Sequence, residues 1–177
     1  TDVRAVQSRN NIILTGFMGT GKSAVGRRLA ARLGRRFVDT DVLIEQEAKT
    51  SIANIFSQKG EPYFRALEKA TIKRICQEKA IVVATGGGAI VSEENATRLK
   101  ESGTVICLTA TPETIFERVR SNTDRPLLQS PEPLEKIRSL LASRAEAYAK
   151  ADLVIDTSTL DIDRVVETII SLVGKTQ

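Results

Sequence analysis

The residues best suited to chemistry form one short stretch, Gly16-Phe17-Met18-Gly19-Thr20-Gly21-Lys22-Ser23. They fit the pattern G-x-x-x-x-G-K-[ST] at every fixed position. Glycines let backbone N–H groups wrap around phosphate oxygens at points where a side chain would collide. Lys22 would contact the β- and γ-phosphates of a nucleotide, and the Ser23 hydroxyl would be a ligand of Mg²⁺. The stretch therefore predicts a phosphate-binding loop, and the alternative is a Gly-rich turn of no function.

The flanking residues agree with a phosphate-binding loop. Residues 11–15 have the apolar pattern of a short buried strand, and residues 24–33 have the pattern of a helix. The amino end of that helix would add positive potential beside the phosphates. We therefore expect a nucleotide to bind at the following residues: Gly19, Thr20, Gly21, Lys22, Ser23 and Ala24.

Two carboxylates follow a second predicted strand. Asp39 and Asp41 flank Thr40, and in an extended backbone both side chains would point the same way. One carboxylate would then face a metal ion, directly or through water, and the other would face an acceptor hydroxyl. The alternative is that Asp39 or Thr40 caps the next helix.

Three successive glycines, Gly86, Gly87 and Gly88, follow a continuous apolar run. Glycines at the end of a central strand allow a ligand to approach the backbone closely. A tight turn between strand and helix is the alternative, but such a turn needs one or two glycines. The third glycine favours a ligand.

Three arginines are candidates for binding anions. Arg125 lies in residues 121–133, a polar stretch with three of the chain's five prolines, which we expect to be a surface loop that acts as a lid. An arginine on such a loop can neutralise charge on a transferring phosphoryl group. Arg65 and Arg144 lie in predicted helices and could hold a carboxylate through paired hydrogen bonds. The alternative for each is a solvated surface arginine.

The chain alternates strand and helix patterns along its whole length. This alternation predicts a three-layer α/β/α fold with a five-stranded parallel sheet. The predicted strands cover residues 11–15, 36–39, 80–85, 104–108 and 152–156, and the main predicted helices cover 24–33, 41–48, 52–59, 62–78, 93–101, 112–120, 134–150 and 161–173. Because ligands bind at the carboxyl ends of such strands, the loop, the aspartates and the glycines should meet in one cleft.

Composition narrows the class of protein. Length predicts a single domain over residues 1–177, with residues 1–10 as a flexible amino end. No apolar run is long enough to span a bilayer, and the amino end has no secretion-signal pattern. The two cysteines lack C-x-x-C spacing, which suits the reducing environment of the cytoplasm. With zero histidines, acid–base chemistry falls to carboxylates or lysines.

The net charge of +4 suits anionic ligands but is weak evidence for nucleic acid. The densest cluster of basic residues lies on and just after the first predicted helix, and its simplest interpretation is a solvated helix face. The cluster consists of Arg27, Arg28, Arg32, Arg35 and Arg36. Aromatic residues make up 4% of the chain, too few for a surface on which bases stack. We expect no nucleic-acid partner and no membrane partner.

Taken together, these motifs resemble those of the shikimate kinases, within the nucleoside-monophosphate-kinase-like group of phosphate-loop proteins. The likeness extends from about Asn11 to Val173. It rests on motifs that are weak singly and specific in combination and order: residues 16–23, Asp39-Thr40-Asp41, Phe64-Arg65, Thr85-Gly86-Gly87-Gly88, Arg125-Pro126-Leu127-Leu128, and Arg144 followed by Tyr148. The resemblance implies ATP-dependent phosphorylation of the shikimate 3-hydroxyl with Mg²⁺, and we expect a monomer.

For the acceptor, the resemblance implies that Asp41 holds the accepting hydroxyl and serves as base. It implies that Arg65 and Arg144 hold the substrate carboxylate, and that Gly87, within Gly86-Gly87-Gly88, contributes backbone contacts.

For the nucleotide, the resemblance implies that Ser23 ligates Mg²⁺ and that Asp39 contacts the ion through water. It assigns Arg125 to ATP as the lid arginine and places Arg118 near adenine. Lys22 and Arg125 would share the charge that develops during transfer. Residues 157–160 receive no assignment.

Three alternatives remain at this point. A gluconate kinase would have a substrate with the same hydroxyl and carboxylate groups, although the paired aspartates and triple glycine favour shikimate. A nucleotide-binding regulator would not need Asp41, Arg65 and Arg144 together, and the Asn-Lys-x-Asp motif of guanine-binding proteins is missing from the sequence. A nucleic-acid-associated ATPase is disfavoured by the scarcity of aromatic residues.

Overall fold

The computed structural model describes residues 10–120, 130–159 and 161–175. The expected flexible amino end, apart from Asn10, and residues 121–129 of the expected lid, which include Arg125, lie outside the described residues. Among the described helices, none is long and apolar enough to cross a membrane.

One sheet of five parallel strands forms the middle layer, in the order β2-β3-β1-β4-β5. This arrangement confirms the predicted fold class. The strands are β1 (Asn11–Thr15), β2 (Phe37–Asp39), β3 (Val82–Ala84), β4 (Gly103–Thr109) and β5 (Leu153–Asp156).

Helices connect successive strands, as parallel pairing requires. Those within the described ranges are α1 (Lys22–Leu33), α2 (Thr40–Ala48), α3 (Ile52–Lys59), α4 (Glu61–Ile75), α5 (Glu93–Ser102), α6 (Pro112–Val119), α7 (Pro133–Tyr148) and α8 (Ile162–Lys175). Most begin or end at the residues that the sequence indicates. Ser51, Ser92 and Thr111 each accept a backbone hydrogen bond as N-caps of α3, α5 and α6.

The core has two halves because side chains alternate across the sheet. On β1, Ile13 faces one apolar cluster with Val83 and Val105, whereas Ile12 and Leu14 face the other. The first cluster continues into α4, α5 and α7, and the second into α1 and α8. Burial on both faces explains why these strands consist of continuous apolar residues.

The strand order brings the candidate motifs to one edge. β3 lies between β2 and β1, with Asp39 paired to Ala84 and Leu14 paired to Ala84 on the other side. The phosphate-binding loop, Asp39 and the three glycines therefore leave three adjacent strands at their carboxyl ends. The strand order thus brings to one edge the motifs that the sequence predicts to share a cleft.

Two predicted elements are too long. The strand predicted over residues 80–85 covers Val82–Ala84, because Ala80 has φ 57°, a left-handed conformation that a strand does not contain. The helix predicted to end near Glu78 ends at Ile75. Glu78 N–H donates to the carbonyl of Ile75 at 3.0 Å, so the last turn closes over three residues instead of four.

A short 3-10 helix at Ala89–Val91 is missing from the prediction. Its backbone bonds begin in the glycines: Ala89 N–H donates to Gly86 at 3.1 Å, and Val91 N–H donates to Gly88 at 3.2 Å. Asn95 on α5 donates to the carbonyl of Ala89 at 3.0 Å and is itself 2% exposed. The triple glycine is therefore part of an ordered turn.

The basic run on α1 has partners on α8. Arg28 pairs with Asp163 and Arg32 pairs with Glu167. All four side chains are largely exposed, so these ion pairs contribute little stability. The basic residues of α1 are therefore paired with acidic residues of α8, in addition to facing solvent as predicted.

Candidate active site

The phosphate-binding loop is built between β1 and α1 by glycines in the left-handed region. Gly16, Gly19 and Gly21 have φ of 131°, 77° and 91°, which side chains rarely allow. A Cβ on Gly16 would stand 2.2 Å from the carbonyl oxygen of Leu108 on β4. The Thr20 hydroxyl closes the loop by donating to the carbonyl of Phe17 at 2.7 Å.

Lys22 and Ser23 begin α1 at the mouth of this loop. The Lys22 ammonium donates to the carbonyl of Gly16, so it lies across the loop and next to the helix amino end. A cation there and the N–H groups of the first helical turn both favour phosphate.

Asp39 joins the end of β2 to this loop. Its Oδ2 accepts a hydrogen bond from the Ser23 hydroxyl at 2.6 Å, and its Oδ1 accepts from the N–H groups of Asp41 and Val42 at 3.0 and 3.3 Å. Asp39 is thus the N-cap of α2, which was the alternative to a metal-binding role. The same side chain also contacts Ser23, the candidate ligand of Mg²⁺. The backbone is extended at Asp39 but helical from Thr40, so the extended geometry that would point both carboxylates the same way does not continue to Asp41.

The donor set fits Mg²⁺. A hydroxyl and a carboxylate side by side are hard oxygen ligands, and Mg²⁺ usually completes its shell with water and substrate phosphates. Within the described ranges, there is no group of three or more histidine, cysteine, aspartate or glutamate side chains that could hold a metal. Ser23 and Asp39 are therefore suited to an ion that arrives with phosphate.

Asp41 lies in the first turn of α2 with its carboxylate against Gly86. A Cβ on Gly86 would stand 2.8 Å from Asp41 Oδ1. That buried oxygen has no hydrogen-bond partner in the described part of the chain. Burial raises the pKa of Asp41 above its ordinary value, and Lys22 opposes the shift. Asp41 Oδ1 is therefore a hydrogen-bond acceptor without a partner in the described residues, and it lies near the phosphate-binding loop and Lys22.

Arg65 on α4 lies against the last glycine. A Cβ on Gly88 would stand 2.6 Å from Arg65 Nη2. Arg65 Nη1 donates to Glu68 Oε1 at 2.8 Å, and Arg65 Nε donates to Glu61 Oε1 at 3.4 Å. The half-buried guanidinium is thus held by its own helix with hydrogens left over for an anion.

Glu68 is a residue that sequence reasoning missed. It is 1% exposed, and its Oε2 lacks a hydrogen-bond partner in the residues that the structure describes. A Cβ on Gly86 would stand 3.0 Å from that oxygen. Burial raises the pKa of Glu68, and Arg65 opposes the shift. The available signal was its spacing, since residues three apart on a helix are neighbours.

Arg144 on α7 approaches the middle glycine. A Cβ on Gly87 would stand 3.2 Å from Arg144 Nη1. The guanidinium also lies 5.4 Å from the centre of the Phe17 ring in the phosphate-binding loop, within the range of a cation–π contact. Tyr148, one turn later, donates its hydroxyl to the carbonyl of Gly87 at 2.7 Å.

Arg118 lies on the other side of the loop, in a groove of about 670 Å³. Its Nη2 donates to the carbonyl of Thr157 at 2.6 Å, and its Nη1 donates to the carbonyl of Gly19 at 3.1 Å. Val25 and Ile162 add apolar surface to the groove. Thr157, which the sequence left unassigned, thus lies next to Arg118 and the phosphate-binding loop.

The described candidate residues therefore fall into two adjoining groups. Asp41, Arg65, Arg144 and Gly86–88 line one side of the phosphate-binding loop, and Arg118 lines the other. Arg125 lies outside the described residues, so its contact with a nucleotide remains a prediction.

Comparison with known proteins identifies similar chains. A family model described as shikimate kinase matches residues 18–173. A shikimate kinase from Geobacter metallireducens is 48% identical over 167 residues, covering 94% of this chain and 93% of that protein. A shikimate kinase from Acinetobacter baumannii, solved in complex with shikimate, has a TM-score of 0.93 at 37% identity and covers 98% of both chains.

A gluconokinase from Sinorhizobium meliloti is also similar in structure. It has a TM-score of 0.59 at 15% identity, covering 94% of this chain and 93% of that one. At that identity the likeness shows the fold alone.

Proposed function

Because the chain belongs to the shikimate kinase family, we propose that it transfers the γ-phosphoryl group of ATP to the 3-hydroxyl of shikimate. The products are shikimate 3-phosphate and ADP. The observation that carries the proposal is the position of the unpaired Asp41 oxygen, on the same edge of the sheet as the phosphate-binding loop and the two arginines, Arg65 and Arg144.

The phosphates of ATP bind the backbone of the loop from Gly19 to Ala24. Lys22 leaves the Gly16 carbonyl and contacts the β- and γ-phosphates. Ser23 would be a ligand of Mg²⁺ and Asp39 would contact the ion through water, and the ion would supply positive charge against the phosphate oxygens. The hydrogen bond of 2.6 Å between these two side chains supports the assignment, since it holds both oxygens at one point.

The shikimate 3-hydroxyl donates its hydrogen to Asp41. The hydroxyl oxygen attacks the γ-phosphorus, the bond from that phosphorus to the bridging oxygen of ADP breaks, and the hydroxyl proton passes to Asp41. Phosphoryl transfer depends on positioning and charge neutralisation more than on a strong base. The raised pKa of Asp41 nevertheless favours its role, because a carboxylate with a higher pKa is the better proton acceptor.

The shikimate carboxylate binds Arg65 and Arg144, which border Gly88 and Gly87 respectively. The backbone of Gly86–88 contacts the rest of the substrate, since side chains there would occupy the space. Support comes from the similar Acinetobacter baumannii enzyme, which was solved with shikimate.

The remaining two arginines serve ATP. Arg118 lies beside adenine in the groove that it lines with Val25 and Ile162. Arg125, outside the described residues, neutralises charge on the transferring group when its loop covers the site, and exclusion of water there suppresses ATP hydrolysis.

A coupled assay of ADP release tests the proposal. Shikimate, gluconate or water alone is offered as acceptor with ATP and Mg²⁺, and Lys22→Met serves as the inactive control. We expect ADP release only with shikimate, in step with shikimate 3-phosphate measured by mass spectrometry. Release with gluconate would indicate a gluconate kinase. Release at the same rate in water alone would indicate a nucleotide-binding regulator, and either result would overturn the proposal.

A further inference from the structure

Tyr148 is the last residue of α7 and lies buried beneath the glycines of the candidate site. Its ring is part of the apolar cluster that includes Phe17 and Cys107, and the residue is 7% exposed. Its hydroxyl is the polar end of an otherwise apolar side chain, and it reaches the carboxyl end of β3. A buried tyrosine hydroxyl normally has a specific partner.

The partner is the middle glycine of the substrate turn. The Tyr148 hydroxyl donates to the carbonyl of Gly87 at 2.7 Å, a good length for this bond. Glycine has no side chain through which packing could fix its orientation. The hydrogen bond from α7 therefore restrains a peptide that has no side chain of its own to anchor it.

The same hydroxyl is within reach of Arg144. Arg144 Nη1 donates to the Tyr148 oxygen at 3.5 Å, a long bond, and the pair lies one helical turn apart on α7. The guanidinium carbon of Arg144 also lies 5.4 Å from the centre of the Phe17 ring. Tyr148 and Phe17 together leave the guanidinium a restricted set of positions.

We infer that Tyr148 is a positioning residue that places Arg144 for the carboxylate of the substrate, with its own hydroxyl fixed by the Gly87 carbonyl. The inference rests on the proposed function, in which Arg144 binds the shikimate carboxylate. Burial raises the pKa of Tyr148, so its hydroxyl keeps the proton that it donates to Gly87 at neutral pH. A tyrosine that only filled the core would need the ring alone.

Tyr148→Phe tests this role because it removes the hydroxyl and keeps the ring. We expect the KM for shikimate to rise about tenfold, the loss typical of one buried hydrogen bond. The kcat and the KM for ATP should stay within about twofold, since uniform binding of the acceptor is what is lost. The matched control is Tyr63→Phe, which removes the hydroxyl of the chain's other tyrosine, a residue 47% exposed, and should change nothing.

A neutral acceptor separates positioning from packing. Shikimate amide has no charge for Arg144 to hold, so Tyr148→Phe should lower its kcat/KM by less than about threefold. An equal loss with shikimate and with the amide would overturn the inference and leave Tyr148 a core residue. Wild-type chain that phosphorylates neither compound would instead overturn the proposed function.

Fluorine NMR gives a second measurement, which keeps the inference testable if Tyr148→Phe does not fold. The chain has two tyrosines, so wild-type protein with 3-fluorotyrosine gives two signals, and Tyr63→Phe identifies the one from Tyr148. We expect shikimate to shift the Tyr148 signal and shikimate amide to shift it much less. No shift with saturating shikimate, or equal shifts with both compounds, would contradict the inference.

Discussion

Replacing Asp41 with asparagine is expected to slow turnover and at the same time to stabilise the folded chain. Asparagine has nearly the same shape as aspartate, so the side chain still fits against Gly86. What changes is the charge and the ability to accept a proton. Turnover falls and the free energy of unfolding rises, because a buried carboxylate is useful for the reaction but unfavourable for folding.

The kinetic effect follows from the loss of the base. General-base contributions are about 10² to 10⁴ in rate, or about 3–5 kcal/mol in the activation free energy. We expect kcat to fall by that factor. The KM for ATP should change little, since Asp41 lies on the acceptor side of the loop.

The stability effect follows from the pKa. Burial raises the pKa of Asp41 in the folded chain, so the folded state loses stability as the pH rises from the ordinary value of 3.8 to the raised value, and the loss is complete above it. Asparagine removes this cost, and Glu68 Oε2, which also lacks a partner within the described residues, offers a nearby acceptor for its amide. Such a change stabilises by about 0.5–2 kcal/mol, equivalent to a few degrees in Tm for a chain of this size.

The assay is calorimetry with the coupled kinetic measurement on the same preparations. We expect the Tm difference to be full above the folded pKa of Asp41 and to vanish as the pH falls below 3.8, the ordinary value. Glu117→Gln, at a side chain 61% exposed, is the matched control and should leave Tm and kcat unchanged. A variant that turns over at near wild-type rate, or that melts lower than wild type at neutral pH, would refute the reasoning.

Further predictions concern the loop and the two binding sides. Lys22→Met should lower kcat by about 10²- to 10³-fold without changing Tm by more than a few degrees; stopped assays of product measure it, and near-normal turnover would contradict the assignment. Ser23→Ala should raise the Mg²⁺ concentration needed for half-maximal rate, measured by metal titration, and an unchanged titration would count against Ser23 as ligand. Gly88→Ala should raise the KM for shikimate about tenfold, because its methyl would stand 2.6 Å from Arg65 Nη2; an unchanged KM would show that Arg65 moves away freely. Arg118→Met should raise the KM for ATP and leave the KM for shikimate unchanged. Equal changes in both KM values would contradict the assignment of Arg118 to the nucleotide side.

Sequence alone was enough for several features that depend on short-range constraints. The phosphate-binding loop follows from residues 16–23, because only glycine adopts φ of 77° and 91° readily at Gly19 and Gly21. The helix starts at Ser51, Ser92 and Thr111 follow from capping hydrogen bonds that close within a few residues. Alternating apolar runs and helical patterns were enough to predict the parallel sheet.

The resemblance to a family assigned roles to the candidate substrate residues, but their arrangement depended on tertiary structure. The order β2-β3-β1 places Asp39 and the glycines beside the loop, and strand order is determined by the packing of the whole chain, which no local pattern contains. The two elements predicted too long failed locally, because the apolar pattern reveals neither the left-handed Ala80 nor the tight turn from Ile75 to Glu78.

Only the folded chain shows which distant residues the supporting side chains contact. Glu68 is one ordinary glutamate of a helix until burial leaves its Oε2 beside Gly86. Tyr148 meets Gly87, which lies 61 residues away in the chain, and Thr157 meets Arg118, 39 residues away. Sequence specifies which groups can do chemistry because their types and local geometry suffice for that. Burial and the contacts between distant residues decide which of them act together, because both arise only when the layers pack.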